Sequence, residues 1–342
     1  MHAMILNAIA PLAENPAPLQ WADLPDPLPG PGEVLIRVSV CGVCHTELDE
    51  IEGRTPPPRL PVIPGHQVVG RIEALGSAVS GMRFGDRVGV AWIFSACGHC
   101  DYCRQGMENL CPQFTATGRD RHGGYGELMT VPAAFVHPIP EVFTDAEAAP
   151  LLCAGAVGYR SLRLADIQDG QPLGLTGFGA SAHLVLQLAR QQYPNSAVHV
   201  FARSEAERQY SRELGAAWAG DSLDRAPTPL RAIIDTTPAW TPIVAALRNL
   251  QPGGRLVINA IRKENSDRDK LLELDYSRDL WLEREIKSVA NVTRADVREF
   301  LQLAAGIPVK PAVEEYGLKD ANQALLDIQY KHIRGAKVLR VN

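Results

Sequence analysis

Hydrophobic and polar residues alternate along residues 32–40, Gly-Glu-Val-Leu-Ile-Arg-Val-Ser-Val, and a period of two predicts a strand with one buried face. Similar runs at 68–75 and 87–92 are separated by glycine turns at Gly81 and Gly85-Asp86, and residues 1–11 also read as a strand. Between them, seven prolines within residues 11–31 exclude a helix. Short strands, frequent Gly and Pro, and few helical periods predict a compact β-rich domain in the first half.

From about Gly158 the pattern changes to apolar strands alternating with helical periods. Strands are expected at 171–176, 198–201, 232–235 and 255–258, the last following a turn at Pro252-Gly253-Gly254. Helices are expected at 183–190 and 206–214. Such an alternation builds a parallel, doubly wound sheet through right-handed crossovers, so the expected class is α/β with a Rossmann-type second domain.

Composition narrows the function. The chain has 342 residues, enough for two domains, and is 46% hydrophobic and 21% charged. A formal charge of -5 with no run of five like charges argues against nucleic acid as a partner. No apolar run approaches the roughly 18 residues that a membrane helix needs, so no membrane partner is expected. The first residues lack the basic start and long apolar core of a signal peptide, which makes cytoplasm the expected location, where thiols stay reduced.

Four of the seven cysteines, Cys97, Cys100, Cys103 and Cys111, lie in one segment with two, two and seven residues between them. Four sulfurs at such spacing can converge on a tetrahedral structural zinc. Disulfides or buried apolar thiols are the alternatives. A closed four-thiolate site has no open position, so any chemistry must come from elsewhere.

Two other stretches carry chemical residues at strand–loop junctions: Cys44-His45-Thr46-Glu47, and Gly65-His66-Gln67. A lone histidine such as His66 is more often structural than ligating unless partners exist, and Cys153, at the start of a small-residue helix, reads alone as a core thiol. In the second half, Gly177-Phe178-Gly179-Ala180-Ser181-Ala182 matches G-x-G-x-x-G/A between a strand and a helix. Glycines there let the backbone approach a pyrophosphate at the helix N-terminus, although a plain tight turn would look the same. A carboxylate at the end of the second strand would receive the adenosine ribose of NAD. Here Phe201 leads into Ala202-Arg203-Ser204-Glu205, a cation and a hydroxyl suited to a 2′-phosphate, so NADP(H) is expected over NAD(H). Alternatively Arg203 is solvated and Glu205 serves the ribose.

Taken in order, Pro29-Gly30-Pro31-Gly32-Glu33-Val34, Cys41-Gly42-Val43-Cys44-His45-Thr46, Pro64-Gly65-His66, the four-cysteine loop, Gly123-Gly124-Tyr125, Leu152-Cys153-Ala154-Gly155 and Gly177-Phe178-Gly179 resemble the zinc-dependent alcohol dehydrogenases of the medium-chain dehydrogenase/reductase superfamily. The resemblance runs nearly end to end. It implies a GroES-like catalytic domain in residues 1–155, an inserted NAD(P)-binding Rossmann domain in 156–292, and a return segment in 293–342 that completes the first. It implies Cys44, His66 and Cys153 as ligands of a catalytic zinc, the four-cysteine loop as a structural site, and hence Zn2+ at two per chain. Cys41 is then a core residue. The implied reaction is hydride exchange between a small-molecule alcohol or aldehyde and NAD(P), with Thr46 as the relay hydroxyl and His45 at the cofactor pyrophosphate. Trp92 would line the substrate pocket, with core packing as the alternative. Relatives of this kind form homodimers and homotetramers.

Four positions depart from the family pattern. Glu47 stands where many relatives carry Asp beside the histidine ligand, and Gln67 replaces a frequent Glu. Glu52 occupies the place given to a relay histidine, so the last proton step would use this carboxylate or water. Ala336 replaces an arginine aimed at the pyrophosphate, with Arg334 or Lys337 as substitutes. Two other readings remain: a metal-independent reductase of the same fold, and a zinc-stabilised nucleotide-binding protein without turnover.

Overall fold

The eleven-residue strand Glu33–Val43 organises the first half: Val34, Ile36, Val38 and Val40 are buried on one face and Leu35, Cys41 and Val43 on the other, so both faces are largely covered rather than the one expected, and Arg37 points outward. In the computed structural model, which describes residues 1–307, 309–331 and 335–341, the chain divides into two units. The first comprises Met1–Ala156, Val292–Gly306 and Lys310–Asn342, and the second comprises Val157–Asn291 with Ile307–Val309.

In the first unit, Glu33–Val43 pairs antiparallel with Val68–Leu75, which pairs with Arg87–Val90 and, beyond it, Val136–Pro138. Its other edge is shared. Leu128–Pro132 covers the first half, and the C-terminal strand Ala336–Arg340 covers the second, opposite Val40–Val43. The last strand of the chain therefore braces the segment that leads into Cys44. Ala336 and Lys337 are both buried in that strand. Lys337 is engaged internally by Glu314 and by the Tyr316 hydroxyl at 2.6 Å, while Arg334 lies outside the described residues.

The second unit is built on six parallel strands in the order Trp218–Gly220, Val198–Phe201, Leu173–Thr176, Leu230–Asp235, Leu250–Ile258, Glu285–Ser288. Numbered along the chain this order is 3-2-1-4-5-6, so the direction of winding reverses between Leu173–Thr176 and Leu230–Asp235. Phe201, Leu230, Ile233, Ile243, Leu247 and Leu256 pack into one buried cluster on this sheet. The expected turn at Pro252-Gly253-Gly254 falls inside a strand instead. Leu230 pairs with Leu250 and Ala232 with Arg255, so a bulge absorbs the extra residues while the ladder continues on both sides. The edge strand Glu285–Ser288 is exposed at all four residues. Among the described residues, no helix is long and apolar enough to cross a membrane.

Candidate active site

Helix α1, His45–Ile51, starts directly after the strand Glu33–Val43, and its cap is chemically unusual. Cys44 is the N-cap: its Sγ accepts from the Thr46 N–H at 3.4 Å, and the Glu47 Oε2 accepts from the Cys44 N–H at 2.8 Å. The reciprocal pairing is a capping box with sulfur in place of a hydroxyl. It holds the Cys44 side chain at the strand–helix junction.

His66 arrives from the loop after Pro64. Gly65 has φ +97°, and a Cβ there would fall 2.3 Å from the Tyr125 ring, so only glycine lets the chain turn against Tyr125 and present His66 inward. Cys153 sits in a π-helical turn, Leu151–Gly155, which follows the helix Asp145–Pro150 rather than starting a regular helix. Such turns widen the backbone spacing and re-aim a side chain. The result is convergence. His66 Nε2 lies 3.7 Å from Cys44 Sγ and 3.3 Å from Cys153 Sγ, and the three donor atoms lie within 4.8 Å of one another.

Zinc bonds of 2.0–2.3 Å imply donor–donor edges of about 3.3–3.8 Å in a tetrahedron, so the donor atoms fit that ion in separation and in kind. The charge balance agrees. The neighbouring Cys153 thiol, burial and Glu47 hold the Cys44 thiol well above its ordinary value. Burial opposes charge on His66, but Glu47 and Cys44 overcome it and raise the imidazole. Protons stabilised in this way are those that a bound dication displaces.

Glu47 links two of the ligands. While Oε2 takes the Cys44 N–H, Oε1 stands 2.5 Å from His66 Nδ1, with both side chains buried. The longer side chain thus reaches the histidine. Cys41 is fully buried and belongs to neither cysteine cluster, and burial pushes its thiol well up.

Cys97, Cys100, Cys103 and Cys111 form the second cluster, with donor atoms also within 4.8 Å of one another and Cys97 Sγ 3.9 Å from Cys103 Sγ. Backbone N–H groups aim at the sulfurs: Cys100 N at 3.3 Å from Cys97 Sγ, and Cys97 N at 3.4 Å from Cys111 Sγ. Donors from His99 and Cys100 bring the Cys97 thiol down to about 6. All seven cysteines are free thiols. The loop is tied down by an ion pair that sequence reading missed, because its partners are 186 residues apart: Arg294 Nε and Nη2 lie 2.9 and 2.7 Å from the buried Glu108 carboxylate.

The other expected residues separate. Thr46 is half-buried on α1 and His45 is exposed. Trp92 is half-buried, with Phe114 at 5.2 Å and the Arg119 guanidinium 5.4 Å over its ring. Glu52 is engaged outside the cluster, by the Leu12 N–H at 2.9 Å and by Arg54. Asp49 shares the same arginine at 2.6 Å. A third carboxylate on α1, Glu50, was not singled out from the sequence, since nothing in the spacing distinguishes it from a solvated acid. It is 1% exposed, with the Trp92 indole as a polar neighbour. Gln67 is buried too, with its amide nitrogen unpaired.

In the second unit, Gly177 takes φ +77°, where a Cβ would meet Thr236 and Thr237 at 2.9 Å. Gly179 caps the helix Ala180–Gln192, open space surrounds it, and Ala182 is fully buried against the sheet. The backbone at this helix start can therefore approach a phosphate at the carboxyl edge, beside the point where the winding reverses. Ser204 caps the next helix, Glu205–Glu213, accepting from the Glu207 N–H at 3.0 Å, and Arg203 before it is exposed. The Glu205 carboxylate is taken by Arg208 and Arg212, each at 2.9 Å.

Comparison with known proteins agrees with this geometry. Residues 30–141 match the alcohol dehydrogenase GroES-like domain. The chain is 45% identical over 329 residues to a probable alcohol dehydrogenase, AdhA, of Mycobacterium tuberculosis (strain CDC 1551 / Oshkosh), covering 95% of this chain and 93% of that one. It is 32% identical to an alcohol dehydrogenase of Geobacillus stearothermophilus, over 95% and 97% of the two chains. Among solved structures, a cinnamyl alcohol dehydrogenase of Sorghum bicolor superposes with a TM-score of 0.84 at 26% identity, over 99% of this chain and 97% of that one. The two cysteine clusters, the six-stranded parallel sheet and these end-to-end relatives place the chain among the zinc-dependent alcohol dehydrogenases of the medium-chain dehydrogenase/reductase superfamily.

Proposed function

We propose that this protein exchanges a hydride between an alcohol, or the matching aldehyde, and a nicotinamide cofactor, with Cys44, His66 and Cys153 holding a catalytic zinc. The observation that carries the reading is the mutual spacing of those three donors, joined to the Glu47 carboxylate behind His66. When bound, zinc supplies Lewis acidity toward the substrate oxygen, and the nicotinamide accepts or returns the hydride.

The chain's own residues do the rest. Two thiolates and a neutral imidazole balance a dication and leave room for one more ligand. Glu47 fixes the tautomer of His66 by occupying Nδ1. Thr46, two residues beyond Cys44, offers the hydroxyl that takes the substrate proton. Because Glu52 is engaged by Leu12 and Arg54, water is the acceptor that suits the onward step. Cys97, Cys100, Cys103 and Cys111 hold a second, structural zinc, giving two per chain.

The first unit is assigned the catalytic role and the second the cofactor. Gly177, Gly179 and Ala182 shape the pyrophosphate turn, with His45 as a further phosphate contact. Arg203 and Ser204 favour NADP(H), a reading supported by the engagement of Glu205 with Arg208 and Arg212. A homodimer or homotetramer is supported by the exposed edge strand Glu285–Ser288 and by Trp281, Leu282 and Ile286, which are 55%, 49% and 43% exposed around it. Light scattering tests that assignment. Seven intact thiols fit a reducing compartment such as the cytoplasm.

The deciding experiment is a metal count joined to an alcohol assay. Wild type should carry near two zincs per chain, and Cys153→Ala should lose one of them together with nearly all turnover. Turnover retained in that variant overturns the assignment, and a single zinc in the wild type favours a nucleotide-binding protein without catalysis.

A further inference from the structure

We infer that Lys263 and Asp235 are positioning residues for the nicotinamide cofactor: their buried ion pair sets the loop 236–239 against the phosphate turn at Gly177. The inference rests on the assignment of the second unit to the cofactor, and it adds residues that lie outside the glycine motif.

The placement follows from the sheet. Thr176 and Asp235 end neighbouring parallel strands, opposite each other in register, and between those two strands the winding reverses. A crevice at the carboxyl ends of such a pair is where an open α/β sheet takes its ligand. Its two walls are the turn at Gly177 and the loop that follows Asp235. They stand so close that a Cβ on Gly177 would meet Thr236 Oγ1 and Thr237 Cγ2 at 2.9 Å. Where the loop stands therefore sets the surroundings of the turn.

Charge holds the loop in place. Asp235 is fully buried; its Oδ1 accepts from the Thr176 hydroxyl at 2.5 Å and from the Thr237 hydroxyl at 2.8 Å, while its Oδ2 takes the Lys263 ammonium. The same ammonium, 8% exposed, donates to the carbonyls of Thr237 at 2.6 Å and Ala239 at 3.2 Å. An ammonium has three protons, and here all are directed at one loop and the strand end before it. Two neighbours of Lys263 fix the backbone alongside. The Glu264 N–H donates to the Pro238 carbonyl at 2.7 Å, and the Asp267 carboxylate accepts the N–H groups of Trp240 and Thr241 at 2.9 and 2.8 Å.

A buried ion pair adds little net stability over a well-packed apolar pair, because desolvation offsets the attraction. This one does what an apolar pair could not: it gives two loop carbonyls a shared donor at a fixed distance from the end of the sheet. Its contribution lies in where the loop stands more than in how stable the unit is.

The test measures binding of NADPH and NADH to the whole, zinc-loaded chain by fluorescence titration, beside steady-state kinetics and urea melts. Lys263→Met strands the Asp235 carboxylate in the interior, so it should lower the urea midpoint as well as weaken cofactor binding. The double variant Asp235→Asn/Lys263→Met strands no charge, and its midpoint should return toward wild type. Its Kd should nevertheless stay raised about tenfold for both cofactors, which share the pyrophosphate, the size expected from losing hydrogen bonds to a charged group. KM for the cofactor should rise with Kd while KM for the alcohol is unchanged. Thr237→Val, which removes one tie to Asp235 and keeps the ion pair, should raise Kd about threefold and stands in if neither charge variant folds. A wild-type Kd in the variants that fold overturns the inference, and so does a Kd that recovers together with the midpoint in the double variant. An equal rise in KM for the alcohol also overturns it, because general loosening would then account for the effect. A wild type that binds neither nucleotide overturns the cofactor assignment, and the inference with it.

Discussion

The Glu47 carboxylate stands 2.5 Å from His66 Nδ1 with one oxygen and accepts the Cys44 N–H at 2.8 Å with the other. One buried side chain thereby couples the cap of a helix to the orientation of a histidine that arrives from a different loop. Local folding of α1 and assembly of the metal centre are parts of one arrangement.

Glu47→Gln keeps the length of the side chain and removes its charge. Outer partners of a ligating histidine usually account for 10–100-fold in metal affinity or activity, and a loss of about that size is expected here. Competition with a chelator, measured beside kcat/KM, checks it. Glu47→Ala should in addition weaken α1 by about 1 kcal/mol through loss of the cap, visible in a urea melt.

Arg294→Ala leaves the Glu108 carboxylate buried with only a backbone N–H for company. Removing one member of a partly buried pair costs about 2–3 kcal/mol, expected as a lower urea midpoint at pH 7. Burial alone would raise Glu108, but Arg294 more than reverses this and holds it below the usual carboxylate range. The pair's contribution is therefore complete above that range and fades only as pH falls through the lowered value, so the same penalty should appear at pH 5.

His137 is 3% exposed, and burial, with help from Arg298 and Arg294, brings it down to about 4. The unfolded chain takes up this proton near pH 6.5 and the folded chain does not, so stability is present above 6.5 and declines as pH falls toward 4. Between pH 7 and pH 5 the decline amounts to about 2 kcal/mol. His137→Leu should flatten this part of the stability profile relative to wild type, measured by urea melts across the range.

Ala202→Asp should shift cofactor preference from NADPH toward NADH, because a carboxylate at the strand end accepts ribose hydroxyls and repels a 2′-phosphate. Arg203→Ala should raise KM for NADPH about tenfold or more and change KM for NADH little. Steady-state kinetics with both cofactors decide this. A preference that Ala202→Asp fails to move would place the determinant elsewhere.

Much of the fold could be read from local pattern. The strands at 68–75 and 198–201 and the helix after Gly179 follow from side-chain period and glycine placement, which depend on neighbours in the chain. The strand through Pro252-Gly253-Gly254 could not, because it is the pairing of Leu250 with Leu230 and of Arg255 with Ala232 on either side that carries those unpaired residues as a bulge. Cys153 was legible as a ligand only by resemblance, and its π-helical turn left no signal in the residue types.

The sequence by itself determined the α/β class, the clustering of four thiols and the family, because short spacings and a consistent order of motifs survive without coordinates. Tertiary structure alone decided which acids matter. Asp49 and Glu50 on one short helix and Glu52 at its C-cap are neighbours, yet two are neutralised by Arg54 and the third is buried beside the Trp92 indole. The cost of burying a charge depends on what the remainder of the chain brings against it, and that is set by contacts between residues far apart in the sequence.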